Sequence, residues 1–509
     1  RLREELDILV NSAILEARIT PAETFYRFQH ALIQEAAYFS LLRRERRKLH
    51  ARVAAVLEER FPQRVVTEPE LLALHLRRAG NAARAAEWYV RAGRRAAGQA
   101  AVHEAVTHYR EGLAALEENG EQGHDRLELS LQILLGNALM VDRGFGAPET
   151  LPVWERASAL AEKLDDIDEL TSALNGEAVY YYDVGDAATA SEVAARILDI
   201  ADRHGLRIAA LRGHCTMALA LLYRGEVARS LQHARAALAV YRPSDFQLVT
   251  YGVGTDQGVV GHGAASLALW WLGKQDSALA EARAAVELAE QLDSALSLAM
   301  ARAFLAIAHH LRREAADALR VAQQNVEFSE RLGFPFWLGL SLMLVGAQKT
   351  RLGGDPAGLE DVARALSILG EAGSRGGSAL GFSILVEAQR NVGHLDSALA
   401  TVEGALAVVR GQGERFTEGE LLRMKSEMLA ERDPTALPEA LEALRAVLFQ
   451  ARERGALTLA LRSATSMVRL GGYAGSAQQE ARGVLSEIYG QFTEAFETPD
   501  LRDAAALLR

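Results

Sequence analysis

Residues 259–293 read VVGHGAASLALWWLGKQDSALAEARAAVELAEQLD. Two amphipathic helices meet there at Leu272-Gly273-Lys274, and a small residue stands on each side where the helices would touch, Ser266 and Ala278. Glycine at such a hinge reaches the left-handed conformation that ends a helix without a Cβ clash. The unit recurs with hinges at Gly185, Gly225, Gly273, Arg313, Gly353 and Gly393, in steps of 40 residues except for the 48 between Gly225 and Gly273. Seven residues before each hinge stand Ala178, Ala218, Ser266, Ala306, Gly346 and Val386. Five residues after it stand Ala190, Ser230, Ala278, Ala318, Gly358 and Ala398. Chance does not hold three columns in step over six repeats. One hairpin cannot bury its apolar face alone, so the period predicts an all-α solenoid of stacked helical hairpins.

Composition agrees with that expectation. Of 509 residues 49% are hydrophobic but only 6% aromatic, and Pro is scarce at 11, so the residues that favour strands are thin. A formal charge of −11 and a pI near 5.7 argue against nucleic acid as the partner of the whole chain, and DNA is not expected. The single cysteine, Cys215, has no internal disulfide partner, as in a reducing compartment, and is expected to be buried. The sequence carries neither an apolar run of roughly eighteen residues nor a signal peptide, so no membrane partner and a cytoplasmic address are expected. It opens at Arg1 inside a helical pattern and reads as a piece of something longer.

Four segments follow from the pattern. Residues 1–61 alternate helix, a short aromatic β element in ITPAETFYRFQ, and helix, as at the end of a winged-helix-like segment. A basic cluster, Arg43, Arg44, Arg46, Arg47 and Lys48, lies in its last helix and reads as a solvated face or a contact with an acidic neighbour. Residues 62–165 begin the hairpins, with Gly80 as a hinge. Residues 166–411 form the regular array, whose insertion at 242–258 carries the extra residues on what is often the binding face of a solenoid. Residues 412–509 are irregular hairpins and a cap, with Asp500 expected as the N-cap of the last helix.

Catalytic patterns are missing from the sequence. It has no GxxxxGK[ST], HExxH, CxxC or GxSxG. His309 and His310 are adjacent, so on a helix they point about 100° apart and do not form an i, i+4 metal pair. The chain is therefore expected to be no enzyme, with no catalytic residue, metal or cofactor of its own.

Small residue, glycine hinge and small residue at these offsets resemble the tetratricopeptide repeat, in its longer-helix form; the family implies a right-handed superhelix. Three stretches together resemble the carboxy-terminal region of bacterial class III adenylate/guanylate cyclases that carry a signalling ATPase of the STAND/AAA type. They are FYRFQHALIQEAAYFSLLRRERRKLHARVAAVLEE, TYGVGTDQGVVGHGAASLALWWLGKQDSALA and LSEIYGQFTEAFETPDLRDAAALL. This resemblance implies a non-catalytic repeat module that binds a protein, peptide or ligand and regulates upstream ATPase and cyclase domains in cis, where ATP or ADP would be held. The sensor region of a LuxR-type or maltose-regulator-type transcriptional regulator and a free-standing peptide scaffold are the alternatives. It also implies that His30, in Phe28-Gln29-His30-Ala31-Leu32, senses the bound nucleotide of the parent protein. The repeat family exposes, two and three residues before each hinge, positions that line its concave groove. In this register they include Tyr182, Tyr223, Trp270, Trp271, His310, Arg351 and Arg390. An extended partner is then expected, apolar near Trp270 and acidic near Arg351 and Arg390, since aromatic and Arg side chains anchor interfaces. Failing that groove, the 242–258 insertion is the expected site.

Overall fold

The computed structural model describes residues 2–19, 24–99, 101–119, 123–246, 254–371, 373, 378–415, 417–471 and 476–509. They divide into two compact units, Arg1–Gly93 with His108–Leu127, and Arg94–Thr107 with Glu128–Arg509.

In the first unit, the helix Leu2–Asn11 leads into an antiparallel hairpin of Leu15–Ile19 and Thr24–Phe28, with Leu15 opposite Phe28. The helices Ala31–Ser40, Arg43–Arg60, Pro62–Thr67 and Pro69–Ala79 follow. Ala54, Leu57, Val65, Leu72, Leu76, Ala85 and Ala115 share its core. Gly80 closes Pro69–Ala79 at φ 83°, the left-handed value read from the sequence.

The second unit is the tetratricopeptide-like solenoid. Its first helices include Asp125–Asp142, Ile167–Asp183, Arg207–Tyr223, Gln257–Trp271, Ala295–Leu311, Pro335–Gly353 and Ser378–Asn391, each followed by an antiparallel partner. Positive φ marks the hinges at Gly185, Gly225, Gly273, Gly393 and the non-glycine Arg313. The fifth hinge needs a correction of one residue. Pro335–Gly353 keeps Gly353 as its last helical residue, and Gly354 takes the left-handed C-cap at φ 61°. The two small columns do meet. The Ser230 hydroxyl donates to the Ala218 carbonyl at 2.7 Å, and a Cβ on Gly346 would overlap the Gly358 carbonyl oxygen.

Later hairpins of this unit return onto the hinge ends of earlier ones. The Arg415 amide donates to the Tyr223 carbonyl at 2.8 Å, and the Arg462 guanidinium donates to the Leu311 carbonyl at 2.8 Å. The Thr458 hydroxyl donates to the Trp270 carbonyl. All three acceptors lie in the last turn of a first helix, where intrahelical partners run out. The returning chain supplies donors to Tyr223 and Leu311, and at Trp270 it adds to the Gly273 amide, which already donates there at 3.1 Å. Charges lock the same seam. Arg313 reaches Asp503 at 2.8 Å, the Ala495 amide donates to Asp276 at 2.8 Å, and Glu494 takes both the amide and the hydroxyl of Ser277, at 2.8 and 2.9 Å. Asp500 is not the N-cap expected for Pro499–Leu508. Thr498 holds that position, and Asp500 accepts from Arg462 at 2.8 Å instead.

Candidate functional site

Each first helix of the second unit turns one stripe toward a common cavity of about 530 Å³. Six residues before their hinges stand Val179, Leu219, Leu267 and Ile307, and thirteen before stand Ser172, Arg212, Val260 and Met300; all eight line it. The spacing of about two helical turns keeps both columns on one face. Phe145, Phe336 and Trp337 pack edge-on in the wall, with ring centres 4.7–6.1 Å apart. Met140, Met300 and Met343 add side chains that adapt to an irregular occupant. Trp154 enters between two first helices because Gly136 and Gly176 leave room; a Cβ on either would overlap its indole.

Polar groups are few and fixed. The Thr216 hydroxyl donates to Asn175 Oδ1 at 2.9 Å. Tyr182 and Tyr223 stand with ring centres 5.8 Å apart, and burial pushes both phenols above their usual range, so they stay neutral. Cys215 is buried and donates to the Gln257 carbonyl at 3.2 Å, and burial raises its thiol as well. The described ends of the insertion are tied down. Arg207 grips Asp245 at 2.6 and 2.7 Å. Asp256 caps Gln257–Trp271 through the Val259 amide at 3.0 Å and accepts from Tyr241 at 3.1 Å. This anchoring places Thr255 and Gln257 in the wall. Residues 247–253 of the insertion lie outside the described residues.

Among the described residues, Arg212 is the one charged side chain of the wall, which holds no Asp, Glu, His or Lys. Such a wall offers no acid–base pair and suits binding of an apolar body. Its volume falls in the range that encloses a drug-sized ligand, roughly 300–1,000 Å³. The described residues also contain no group of three or more His, Cys, Asp or Glu able to hold a metal, and no helix long and apolar enough to cross a membrane.

Part of the groove read from the sequence is buried. Of its residues only Tyr182 and Tyr223 reach the cavity. Trp270 and Trp271 are 2% and 3% exposed and pack edge-on to each other at 5.0 Å. His310 is 5% exposed; the Gln348 amide donates to its Nδ1 at 2.9 Å, and burial pushes its imidazole down to about 4. Arg351 pairs with Glu387, and Arg390 pairs with Glu427 at 2.6 Å and Glu431 at 3.1 Å. These columns meet returning or neighbouring hairpins of the same chain, which is why they carry large aromatics and paired arginines. His30 stands exposed at the N-cap position of Ala31–Ser40 and makes no side-chain cap bond. A regular signal for the cavity was present in the columns six and thirteen before the hinge, but their mixed aliphatic and polar residues look like ordinary core.

The chain matches no protein-family model. It is 22% identical over 475 residues to an uncharacterized protein of Rhizobium meliloti (strain 1021), a match covering 92% of this chain and 46% of the relative. The chain thus spans about half the length of the curated relative it matches. Among solved structures it is similar to a Rap protein complexed with competence and sporulation factor (14% identity, TM-score 0.45, covering 79% of this chain and 99% of that one). It is also similar to Cut9–Hcn1 of the APC/C (14% identity, TM-score 0.47, 90% and 86% covered). A third is a Pyrococcus horikoshii signal transduction ATPase with a tetratricopeptide repeat sensor (14% identity, TM-score 0.40, 74% and 55% covered).

Proposed function

We propose that this chain is the sensor region of a larger cytoplasmic signalling ATPase with a nucleotide cyclase as output. It binds rather than catalyses, and the bound ligand biases the attached domains, which hold ATP or ADP. The observation that carries the binding part is the apolar cavity of the second unit. The link to an ATPase and cyclase rests on the sequence resemblance, in which His30 would read the nucleotide state. In this reading the ligand occupies the cavity, and the hinge columns with Trp270 and Arg390 serve the fold.

A ligand moves such an equilibrium only through different affinity for its two states. Occupancy is therefore expected to tighten the seam between early and late hairpins, because the cavity wall draws on both, from Asn137 to Gln412. The test is cyclase output of the full-length protein carrying Leu219→Trp, which fills the cavity. Output is expected to lose its response to ligand while the protein keeps its ATP-binding stoichiometry. Output indistinguishable from wild type, or a gene that encodes neither ATPase nor cyclase, would sink this assignment.

A further inference from the structure

The first unit contains a second cavity, of about 270 Å³, with a very different wall. Arg43, Arg46, Arg47, Arg77 and Arg78 converge on it from Arg43–Arg60 and Pro69–Ala79, against the single carboxylate of Glu118. Arg77 is occupied: it pairs with Glu111 and Glu118, and that pairing holds the Glu118 carboxyl below its usual range. Arg43, Arg46, Arg47 and Arg78 have no ion pair among the described residues. Lys48, next in sequence, turns away to Glu45 at 2.9 Å.

Two of the free guanidiniums are held in place by an aromatic ring. Arg46 lies 5.0 Å and Arg78 5.7 Å from the Tyr38 ring centre. The Tyr38 hydroxyl is itself fixed by His50 Nε2 at 3.0 Å. Arg47 packs at Gly80, where a Cβ would stand 3.2 Å from the guanidinium carbon. The contrast with the second unit decides the reading. There, converging arginines are matched by carboxylates: Arg423 with Glu420 and Glu427, Arg462 with Glu420 and Asp500, Arg390 with Glu427 and Glu431. In a chain of net charge −11, four guanidiniums with no ion pair among the described residues face one small cavity that holds a single carboxylate.

We propose that this arginine cavity binds a small anion carrying two or more phosphate groups. A single carboxylate would leave most of the positive charge unbalanced, whereas linked phosphates put several charges into one small volume. The forked guanidinium matches phosphate oxygens in pairs. The cavity is too small for a nucleic-acid duplex, and its concavity favours a compact anion over an extended acidic segment.

The test is calorimetric titration of the full chain with inorganic pyrophosphate, at low salt and at about 0.15 M salt, where exposed charges are screened beyond about 8 Å. Wild type is expected to show one saturable site, weaker at the higher salt and weaker for orthophosphate than for pyrophosphate. Arg43→Gln with Arg47→Gln, both exposed side chains, is expected to weaken binding about tenfold or more, as losing charge-assisted hydrogen bonds does. Helicity of that variant should match wild type, and Arg47→Lys should fall between the two. Absence of saturable binding at low salt, or equal affinity of the double variant, overturns the proposal. So does tighter binding of polyglutamate than of pyrophosphate, which would make the cavity a docking surface for an acidic protein.

Discussion

The Arg462 guanidinium lies 4.8 Å from the centre of the Trp270 ring, joining hairpins far apart in sequence. Arg462 also bonds Asp500, Glu420 and the Leu311 carbonyl, at 2.8, 3.1 and 2.8 Å. A tryptophan expected to greet a partner is therefore part of the seam that holds the second unit together.

Trp270→Ala is expected to act on stability. Removing a buried tryptophan typically costs about 3–5 kcal/mol, and here the Arg462 charge also loses its aromatic face. Urea unfolding should show a lower midpoint with an unchanged slope. A variant as stable as wild type that only binds a partner less tightly would restore the docking role.

Gly346→Ala tests the close approach of the two small columns. Its Cβ would overlap the backbone oxygen of Gly358, which cannot swing aside as a flexible side chain can. Overpacking of this kind costs about 1–3 kcal/mol. Gly404→Ala, on a partner helix with open space at that position, should not destabilise and serves as the control.

Glu414 supplies a pH dependence with a definite sign. It is 3% exposed, Thr417 donates to one oxygen at 3.1 Å, and the other oxygen has no partner. Burial raises its carboxyl from 4.5 to about 7. The folded state thus holds the proton more tightly than the unfolded one, and its stabilising effect is full below pH 4.5 and lost as pH rises to about 7. A shift of this size corresponds to on the order of 3 kcal/mol. Glu414→Gln should flatten the fall in stability between pH 5 and 7, measured by chemical unfolding. A wild-type curve already flat across that window would show that Glu414 ionises freely.

Much of the fold was legible because it is written in a repeat. The glycine hinges and small columns follow from steric demands that each hairpin makes locally, and Ala218 with Ser230 or Gly346 with Gly358 meet those demands directly. Arg313 shows that the left-handed hinge tolerates a side chain, which the repeat register exposed even without glycine. The site was harder to read. Periodicity tells which residues share a face, but not where chain some 190 residues later will land. Trp270, His310 and Arg390 looked like a groove because buried anchors and interface anchors use the same side chains. Arg212 and Met300, thirteen residues before their hinges, looked like core because a ligand cavity is lined much as a core is packed. The arginine cavity was visible only as a basic run at 43–48; Arg77 and Arg78, from another helix, complete it in three dimensions.

The central claim is that the second unit holds a ligand cavity with a largely apolar wall. The most direct measurement is titration of the purified chain with dodecanoate, an apolar chain bearing one carboxylate, followed by calorimetry and by tryptophan fluorescence, since Trp154 and Trp337 line the wall. We expect one saturable site per chain, with a fluorescence change that tracks the heat. Leu219→Trp and Met300→Trp, which fill the cavity from two different helices, should each abolish binding while helicity is retained. No saturable binding in wild type, or undiminished binding in both filled variants, would contradict the account.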